Sequence, residues 1–216
     1  MNSAYIQTER TRLRRRPQRG TYDRETVHAI LDAALVCHIG FVADGRPLVI
    51  PTAYARIGET IVFHGASRSR TLLAAGAGAE LCLTVTLLDG LVLARSAFHH
   101  SVNYRSVVAF GRATLITDPD EKMAALRAFV ERIHPGRWAV ARPPTAEELK
   151  ATAVLELPLD EVSAKVRSGG PIDDEEDYAL PLWAGVIPVA ITTGGPIVDE
   201  RVASNLKPPR SSLFMK

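Results

Sequence analysis

Two stretches of the chain carry apolar residues on one face of an amphipathic helix. The first follows Asp23, a residue type that caps helix N-termini, and places Val27, Ile30, Leu31 and Ala34 together. The second begins at Asp118-Pro119-Asp120 and ends at His134-Pro135-Gly136. Its apolar positions are Met123, Leu126, Phe129, Val130 and Ile133. Each helix is therefore predicted to pack one face against the body of the protein, and Thr145 is predicted to cap one more helical turn.

Elsewhere the pattern is one of short β-prone runs separated by turn signals. The dipeptides Asp44-Gly45, Gly58-Glu59 and Asp89-Gly90 each predict a tight turn between two strands. The predicted strands are 36–42, 47–54, 60–64, 80–88, 91–97, 104–116, 151–157 and 162–167. Successive hairpins favour an antiparallel meander that forms a small barrel over a doubly wound sheet.

Three details of these strands are also predicted. Residues 104–116 form the longest run, and Gly111 within it is expected at a bulge or a close approach of two backbones. Pro47 and Pro51 are expected at strand ends, edges or bulges, because proline has no N–H to donate to a ladder.

Composition narrows the class of protein. The chain has 216 residues and a formal charge of +2, so net charge gives no reason to expect a nucleic-acid or membrane partner. Cys37 and Cys82 are the only cysteines, and both lie in apolar runs, so we expect buried, reduced thiols. No apolar run approaches membrane-spanning length, and a cytoplasmic location is expected.

The stretch from His64 to Leu73 carries the first candidate chemistry. It follows a strand and supplies Ser67, Arg68, Ser69 and Arg70 before a predicted helix. Small residues, hydroxyls and guanidinium groups in such a turn suit a phosphate group. The alternative is that Ser67 or Ser69 is a simple helix cap and the arginines are solvated. The residues alone leave both interpretations open.

Other polar residues have simpler interpretations. His38 lies in an apolar strand and is expected in the core, whereas His99 and His100 are adjacent and cannot both bind one metal from a strand. The acidic run 173–177 is expected to be a solvated loop, because consecutive carboxylates on a loop do not converge on a cation. No metal site is predicted.

Four motifs in order resemble one known family. They are Ile50-Pro51-Thr52-Ala53-Tyr54, His64-Gly65-Ala66-x-x-x-Arg70, Ser101-Val102-Asn103-Tyr104-Arg105-Ser106-Val107 and Leu182-Trp183-Ala184-Gly185-Val186-Ile187-Pro188. Together they resemble the FMN-binding split-barrel proteins related to pyridoxamine 5′-phosphate oxidase, especially the flavin-nucleotide-binding branch with nitroimidazole-resistance-type proteins. The resemblance covers about residues 10 to 190. It implies a mainly β fold with flanking helices, built as a six-stranded antiparallel split barrel, and a homodimer with cofactor sites at its interface.

The resemblance also implies roles for particular residues. Cofactor contacts are expected from Pro51, Thr52, Ala53, Tyr54, Val62, Phe63, His64, Ser67, Ser69, Arg70, Asn103, Arg105 and Trp183. Within this set, Ser67, Ser69 and Arg70 would hold the FMN phosphate, and the backbone of 51–54 would lie beside the flavin ring. His64 is the candidate catalytic residue near flavin and substrate, and Trp183 is either close to the flavin or a core anchor for the tail.

Three regions are expected, and several functions stay open. Residues 1–20 are expected to be a basic extended arm that docks on the domain surface or on a second subunit, 21–190 the FMN-binding split barrel, and 191–216 a tail that is mobile or wrapped on a partner subunit. The first hypothesis is an FMN-dependent reductase of a small molecule, with a nicotinamide electron donor, that does not make pyridoxal phosphate. Pyridoxal phosphate formation is not expected because the segment Ser211 to Lys216 of this chain lacks the Arg-Leu-Ala-Pro with which the oxidases end.

The alternatives are a flavin- or haem-binding module without turnover and a DNA-associated regulator that uses the arginine arm. A deazaflavin is a further alternative to FMN, and His38, His64 or His99 would be the haem ligands.

Overall fold

The computed structural model describes residues 3–203 and 205–208. In its central sheet, side chains alternate between buried and exposed positions along the strands. In the second strand, for example, Cys37, Ile39 and Phe41 are buried, whereas Val36, His38 and Val42 are exposed. The strands are β1 (Gly20–Thr21), β2 (Val36–Ala43), β3 (Arg46–Ile57), β4 (Thr60–Ala66), β5 (Glu80–Leu93), β6 (Ser101–Arg112), β7 (Thr114–Leu115), β8 (Thr152–Pro158), β9 (Glu161–Arg167) and β10 (Gly185–Pro188).

All strand pairs are antiparallel, and their order is β1-β9-β6-β5-β2-β3-β4-β8-β7, with β10 added beside β5. β6 continues through Ala113 into β7, which pairs with β8 at the other end of this order. One continuous chain segment therefore links β6, the third strand of this order, to β7 at its far end, and the sheet is not hydrogen-bonded all the way round. This is the expected antiparallel split barrel, and among the described residues seven of its strands have seven or more residues.

The helices are α1 (Arg24–Ala33), α2 (Arg70–Gly76), α3 (Pro119–Ile133), α4 (Arg137–Val140) and α5 (Ala146–Ala151), with 3-10 turns at Pro17–Arg19, Ala97–His99 and Glu175–Ala179. Asp23 and Asp118 cap α1 and α3 through their side chains, and Thr145 forms a capping box with Glu148. The predicted helices and their caps are thus confirmed.

Two apolar clusters hold these elements together. The larger one fills the barrel and includes Ile39, Phe63 and Leu83, with Val27 and Leu31 of α1 against it. The smaller one lies outside the sheet, under α3, and consists of Ala55, Val62, Ile116, Ala125 and Val154. Alternation along β4 therefore sends Phe63 to the inside of the barrel and Val62 to the outside, where α3 covers part of the surface.

α3 also secures the end of α1. The Arg132 guanidinium donates hydrogen bonds to the backbone carbonyl oxygens of Leu31, Asp32 and Ala34, at 3.4 Å for Leu31 and 2.9 Å for Ala34. The last carbonyl groups of a helix have no partner within it, and a cation there also suits the helix dipole. The two amphipathic helices are thereby joined through a single side chain.

The prediction of a turn at Asp89-Gly90 was wrong. β5 runs through both residues and is the longest strand, with 14 residues against 12 in β6. The irregularity in the β5–β6 ladder falls between Leu88 and Gly90. Gly111, in contrast, pairs in regular register and is a close-approach point, because a Cβ there would meet Leu157 at 3.1 Å.

The prolines of β3 lie at an edge, as expected. Residues 46–53 of β3 pair with β2, and only residues 54–57 pair with β4. Pro47 and Pro51 thus fall where the other side of the strand has no partner in the described part of the chain, so a missing N–H costs nothing there.

The basic N-terminal segment lies against its own barrel. Tyr5 is buried, its amide donates to the Tyr22 carbonyl at 2.8 Å, and the Arg10 guanidinium pairs with the carboxylates of Glu80 and Glu161. At the other end, residues 191–203 and 205–208 are exposed, and they contain no helix or strand. The remainder of the expected tail lies outside the described residues.

Candidate functional site

The turn between β4 and α2 carries the residues expected to hold phosphate. The Ser67 amide donates to the Ala151 carbonyl at 3.1 Å, and the Ser69 amide donates to the Ala66 carbonyl at 2.8 Å. The Ser69 hydroxyl accepts from the Leu72 amide at 3.3 Å and so caps α2. Ser69 therefore fits the helix-cap interpretation, and the Ser67 hydroxyl has no partner among the described residues.

The guanidinium groups of this turn are free of protein partners. Within the described ranges, neither Arg68 nor Arg70 makes a hydrogen bond or an ion pair through its side chain. Arg70 lines an open cavity of about 300 Å³ with Arg46, Leu48 and the carboxylate-bearing Asp44. Arg46 also has no partner in the described part of the chain. Two unpaired cations therefore face one cavity beside the β2–β3 hairpin, an arrangement that suits an anion with several oxygens.

The segment from Pro51 to Tyr54 runs along the edge half of β3. Pro51 and Ala53 are exposed, Thr52 is half-buried and Tyr54 is buried. The Tyr54 hydroxyl donates to the Leu31 carbonyl at the end of α1. Burial raises the pKa of Tyr54 well above its usual range. Its side chain is therefore part of the core, and only its backbone could contact a flavin.

His64 lies on the outside of the barrel, next to α3. By strand alternation it shares this surface with Val62 and Ala55, and its imidazole packs edge-on against the Phe129 ring at 4.4 Å between centroids. Burial lowers the pKa of His64, which favours the neutral imidazole. In the part of the chain that the structure describes, His64 has no hydrogen-bond partner.

A cavity of about 270 Å³ opens beside this imidazole. Its lining combines apolar side chains from α3, α4 and α5 with one exposed ion pair, Arg142 with Glu148. The lining residues are His64, Leu126, Val130, Trp138, Ala141, Arg142, Pro144, Glu148, Leu149 and Thr152. Val62 and Phe63 are not among its lining residues, and both are buried in apolar clusters.

Asn103 and Arg105 belong to a polar network near the N-terminal end of β6. The Asn103 side chain donates to the Gly169 carbonyl at 3.1 Å and accepts from the Arg167 guanidinium. Arg105 makes two hydrogen bonds to the Asp89 carboxylate, at 2.9 and 2.7 Å. Within a single chain these two residues hold β5, β6 and the loop after β9 together.

Two sequence expectations about polar residues were wrong, and one of the two alternatives for Trp183 is excluded. His38 is exposed on the outer face of β2 and does not lie in the core. Asp173 is buried, where it accepts hydrogen bonds from the amides of Arg95 and Ser96, so the acidic run is not wholly solvated. Trp183 is 67% exposed and lies against Gly185, which rules out a core anchor for the tail.

The two cysteines differ slightly from expectation. Neither forms a disulfide; Cys37 is buried and Cys82 is half-buried.

Across residues 3–203 and 205–208, no group of three or more His, Cys, Asp or Glu side chains is placed to hold a metal ion. No helix in these ranges is long and apolar enough to cross a membrane.

Comparison with known proteins places this geometry in a family. Residues 23–166 match the family model described as pyridoxamine 5′-phosphate oxidase. The flavocytochrome Anf3 from Azotobacter vinelandii is 46% identical, with a TM-score of 0.89 over 94% of each chain. The FAD and haem binding protein from Mycobacterium smegmatis is 38% identical, with a TM-score of 0.86 over 88% of this chain and 94% of that one.

A more distant structure shares the fold. A candidate 5-nitroimidazole antibiotic resistance protein from Bacteroides thetaiotaomicron is 20% identical, with a TM-score of 0.59 over 68% of this chain and 86% of that one. No curated protein matches the chain significantly. From the match to the family model and the two similar structures, we conclude that the chain belongs to the pyridoxamine 5′-phosphate oxidase family and has its split-barrel fold.

Proposed function

We propose that the chain binds a flavin nucleotide and uses it as a redox cofactor. The observation that carries this proposal is the pair of unpartnered guanidinium groups, Arg46 and Arg70, on one cavity beside the β4–α2 turn. A flavin phosphate supplies the anion that these cations lack. The names of the two similar structures, a flavocytochrome and an FAD and haem binding protein, support the same cofactor class.

FAD is the flavin that we favour over the FMN expected from the sequence motifs. FAD carries two linked phosphate groups, and Arg46 gives the cavity a second cation in addition to Arg70. The Mycobacterium smegmatis protein is also named for FAD. FMN and a deazaflavin are alternative outcomes of the binding test.

The proposed activity is the transfer of electrons to a small molecule. A bound flavin supplies the hydride or electron chemistry, and the protein binds and orients it. In this proposal Arg70 and Ser67 hold the phosphate end, and the backbone of 51–54 lies along the ring. A nicotinamide nucleotide is the proposed electron donor, and a small electron-poor molecule is the proposed acceptor.

The test is a binding titration with FAD, FMN and a deazaflavin. We expect Arg70→Ala to weaken binding of the preferred flavin by about 1.5–3 kcal/mol, the contribution of a hydrogen bond to a charged group. Arg137→Ala is the matched control, because Arg137 is also exposed but lies in α4, away from the cavity. Equal affinity in wild type and Arg70→Ala would remove the phosphate assignment, and no affinity for any flavin would overturn the proposal.

Haem is a second prosthetic group that we propose for this chain. Both similar structures are named for a haem or cytochrome character, at 46% and 38% identity. The chain also offers a half-buried histidine, His64, that opens into a cavity with mainly apolar walls. If the chain binds a haem there, His64 would hold its iron and the apolar walls would contact the macrocycle.

The proposed assembly is a homodimer in the cytoplasm. The outer face of β2 and β3 exposes apolar side chains, including Val36, Val42 and Val49, and such patches mark protein interfaces.

The unpaired Cys37 and Cys82 thiols suit a reducing compartment. Fractionation of cells that express the tagged chain tests the location, and recovery outside the cytosolic fraction would contradict it.

A further inference from the structure

The arginines of the basic N-terminal segment differ in whether a carboxylate neutralises them. The first three each form an ion pair with a glutamate. The next three form no ion pair with any residue that the structure describes. The paired group is Arg10, Arg12 and Arg14, and the unpaired group is Arg15, Arg16 and Arg19. The second half of the segment therefore carries a positive charge that nothing in the described chain compensates.

The end of β9 brings two more cations next to the unpaired group. β1 and β9 are antiparallel with Gly20 opposite Lys165, so the residues that precede Gly20 extend towards the C-terminal end of β9. The Lys165 ammonium donates to the Arg15 carbonyl at 3.0 Å. Burial lowers the pKa of Arg167, and the nearby charge of Arg19 lowers it further. Two distant parts of the sequence thus place cations together.

Arg167 is a buried cation without a counterion. It is only 7% exposed, and its guanidinium donates to the Asn103 side-chain oxygen and, at 3.3 Å, to the Gly170 carbonyl. Both acceptors are uncharged, whereas an arginine side chain stays protonated at every ordinary pH. A buried charge is costly unless an opposite charge lies beside it. Within residues 3–203 and 205–208, no carboxylate pairs with Arg167.

The loop after β9 leaves room beside this cation. A Cβ atom at Gly169 or at Gly170 would have no other atom within 4 Å, so the space next to both residues is open. The loop itself is held in place, because the Asn103 side chain donates to the Gly169 carbonyl at 3.1 Å and Arg167 donates to Gly170. A fixed loop with open space beside a buried cation suits a small anionic ligand.

The number of free cations favours phosphate over a carboxylate. A phosphate group carries nearly two negative charges at neutral pH and has several oxygens, and each guanidinium can donate two parallel hydrogen bonds to it. Arg167 and Arg19 supply two such groups, and the exposed Arg16 supplies a third. A nucleic-acid backbone would instead need a stripe of exposed cations, and a buried Arg167 cannot belong to one.

This cluster of cations is separate from the cavity of Arg46 and Arg70. Arg46 belongs to β3, and in the sheet order β9 lies four strands away from β3. At the usual strand spacing, this is roughly 19 Å along the sheet. Within one chain, an anion at Arg167 is therefore a different one from the proposed flavin phosphate.

We propose that Arg167, Arg19 and Arg16 form a binding site for a phosphate group, either free or esterified to a small molecule. The site lies where the N-terminal segment crosses the end of β9, and it goes beyond the proposed flavin binding. Arg10 holds the segment against the barrel through Glu80 and Glu161, so the paired arginines position the segment and the unpaired ones bind the ligand.

The test is calorimetric titration of the full chain with inorganic phosphate and, separately, with ribose 5-phosphate, in chloride buffer of constant ionic strength. The protein carries Arg46→Ala and Arg70→Ala, so the proposed flavin cavity does not contribute. We expect one phosphate group bound per chain. Tighter binding of ribose 5-phosphate would identify an esterified phosphate as the ligand, and tighter binding of inorganic phosphate would identify the free ion.

Variants of the N-terminal segment identify the residues that bind. In the same background, Arg19→Ala should weaken phosphate binding roughly tenfold, the effect of losing one hydrogen bond to a charged group. The Arg19 side chain has no hydrogen-bond partner among the described residues, so its removal costs the fold no such bond. Arg14→Ala is the matched control, because Arg14 lies in the same segment and is already paired with Glu9. Its affinity for phosphate should equal that of the background protein.

A conservative variant tests Arg167 without leaving its site empty. Arg167→Ala would lose the hydrogen bonds to Asn103 and Gly170, so Arg167→Lys is used instead. Lysine keeps the charge and loses the planar fork, and we expect roughly tenfold weaker phosphate binding. The melting temperature of each variant without phosphate shows that it is folded, and added phosphate should raise the melting temperature of Arg14→Ala more than that of Arg19→Ala.

Four results would overturn the proposal. They are the absence of saturable phosphate binding, equal affinities in Arg19→Ala and Arg14→Ala, acetate that binds as tightly as phosphate, and a DNA duplex that binds more tightly than either phosphate compound and is weakened equally by both variants. Because these titrations use protein without Arg46 and Arg70, their outcome does not depend on flavin. Failure of the flavin proposal would leave the phosphate site intact, and the reverse also holds.

Discussion

Tyr54 shows how a residue of a cofactor motif can serve the core instead. Its side chain is buried, and its hydroxyl donates to the Leu31 carbonyl at the end of α1. We expect Tyr54→Phe to lower the free energy of unfolding by about 0.5–1.5 kcal/mol, the usual net contribution of one hydrogen bond. Urea denaturation of the apoprotein measures this change.

The same variant also tests where the flavin contacts lie. Because only the backbone of Tyr54 can face a ligand, Tyr54→Phe should bind flavin as tightly as wild type. Thr52→Val is the companion variant, since Thr52 is half-buried on the same strand. A large loss of flavin affinity in Tyr54→Phe, without a loss of stability, would contradict this assignment.

The residue scale is where sequence reasoning was least complete. Asn103 and Arg105 were expected to contact the cofactor, and within one chain both side chains are engaged by Arg167, Gly169 and Asp89. Asp173 was missed as a structural residue, because its partners are the amides of Arg95 and Ser96, 78 and 77 positions away. Side-chain partners at such separations leave no local pattern in the sequence.

At the scale of elements, α5 is stabilised by one acidic residue. Glu148 accepts from the Thr145 amide in the capping box and from both terminal nitrogens of Arg142. The Arg142 guanidinium and the backbone N–H together lower the pKa of Glu148 to about 2. Since the folded pKa lies below the ordinary value of 4.5, the carboxylate stabilises α5 above pH 4.5, and this contribution is lost as the pH falls towards 2.

We therefore expect acid to loosen α5 and the wall of the His64 cavity. Trp138 lines that cavity, so its fluorescence in a Trp183→Phe background should change between pH 4.5 and 2. Glu148→Gln has no carboxylate to protonate, and in that variant the change in this interval should be much smaller. An identical acid titration in both proteins would show that another group controls the segment.

The Asp89-Gly90 error illustrates why a turn signal is not sufficient. Gly90 pairs with Pro188 of β10, and a Cβ at this position would meet Val186 at 2.8 Å. Asp89, in turn, accepts two hydrogen bonds from Arg105. Gly90 therefore allows β10 to approach β5 closely, and Asp89 binds a side chain of β6. A rule that uses only the Asp-Gly dipeptide predicts a hairpin turn here, because it does not include these contacts with distant parts of the chain. The Asp44-Gly45 turn, which depends only on local backbone, was confirmed, with φ of 50° and 71°.

At the scale of the whole molecule, local periodicity identified most of the elements and ordered motifs identified the fold. What the sequence did not show is how one segment of the chain joins two distant parts of the sheet. The chain passes from β6 through Ala113 directly into β7, so that it pairs first with β9 and then with β8. The sequence also left open whether the N-terminal segment docks on its own domain or on a second subunit, and here the contact depends on Arg10 meeting Glu80 and Glu161. Both features are consequences of long-range pairing.

The exposed face of β2 and β3 is where we expect the second subunit of the proposed homodimer. Val49 is 64% exposed there, beside exposed Val36 and Val42. The adjacent free edge of β3 contains Pro47 and Pro51, which disfavour pairing through the strand edge, so the contact should be made through the face.

Val49→Asp should weaken dimerisation at least tenfold, because a carboxylate would lose its hydration in the interface. Sedimentation equilibrium over a range of protein concentrations measures this effect. Val140→Asp is the control, since Val140 of α4 is 74% exposed and lies outside this face. If the flavin site is shared between subunits, Val49→Asp should also bind flavin more weakly, whereas Val140→Asp should not. A wild-type protein that sediments as a monomer, or a Val49→Asp variant that dimerises like wild type, would place the subunit contact elsewhere or remove it.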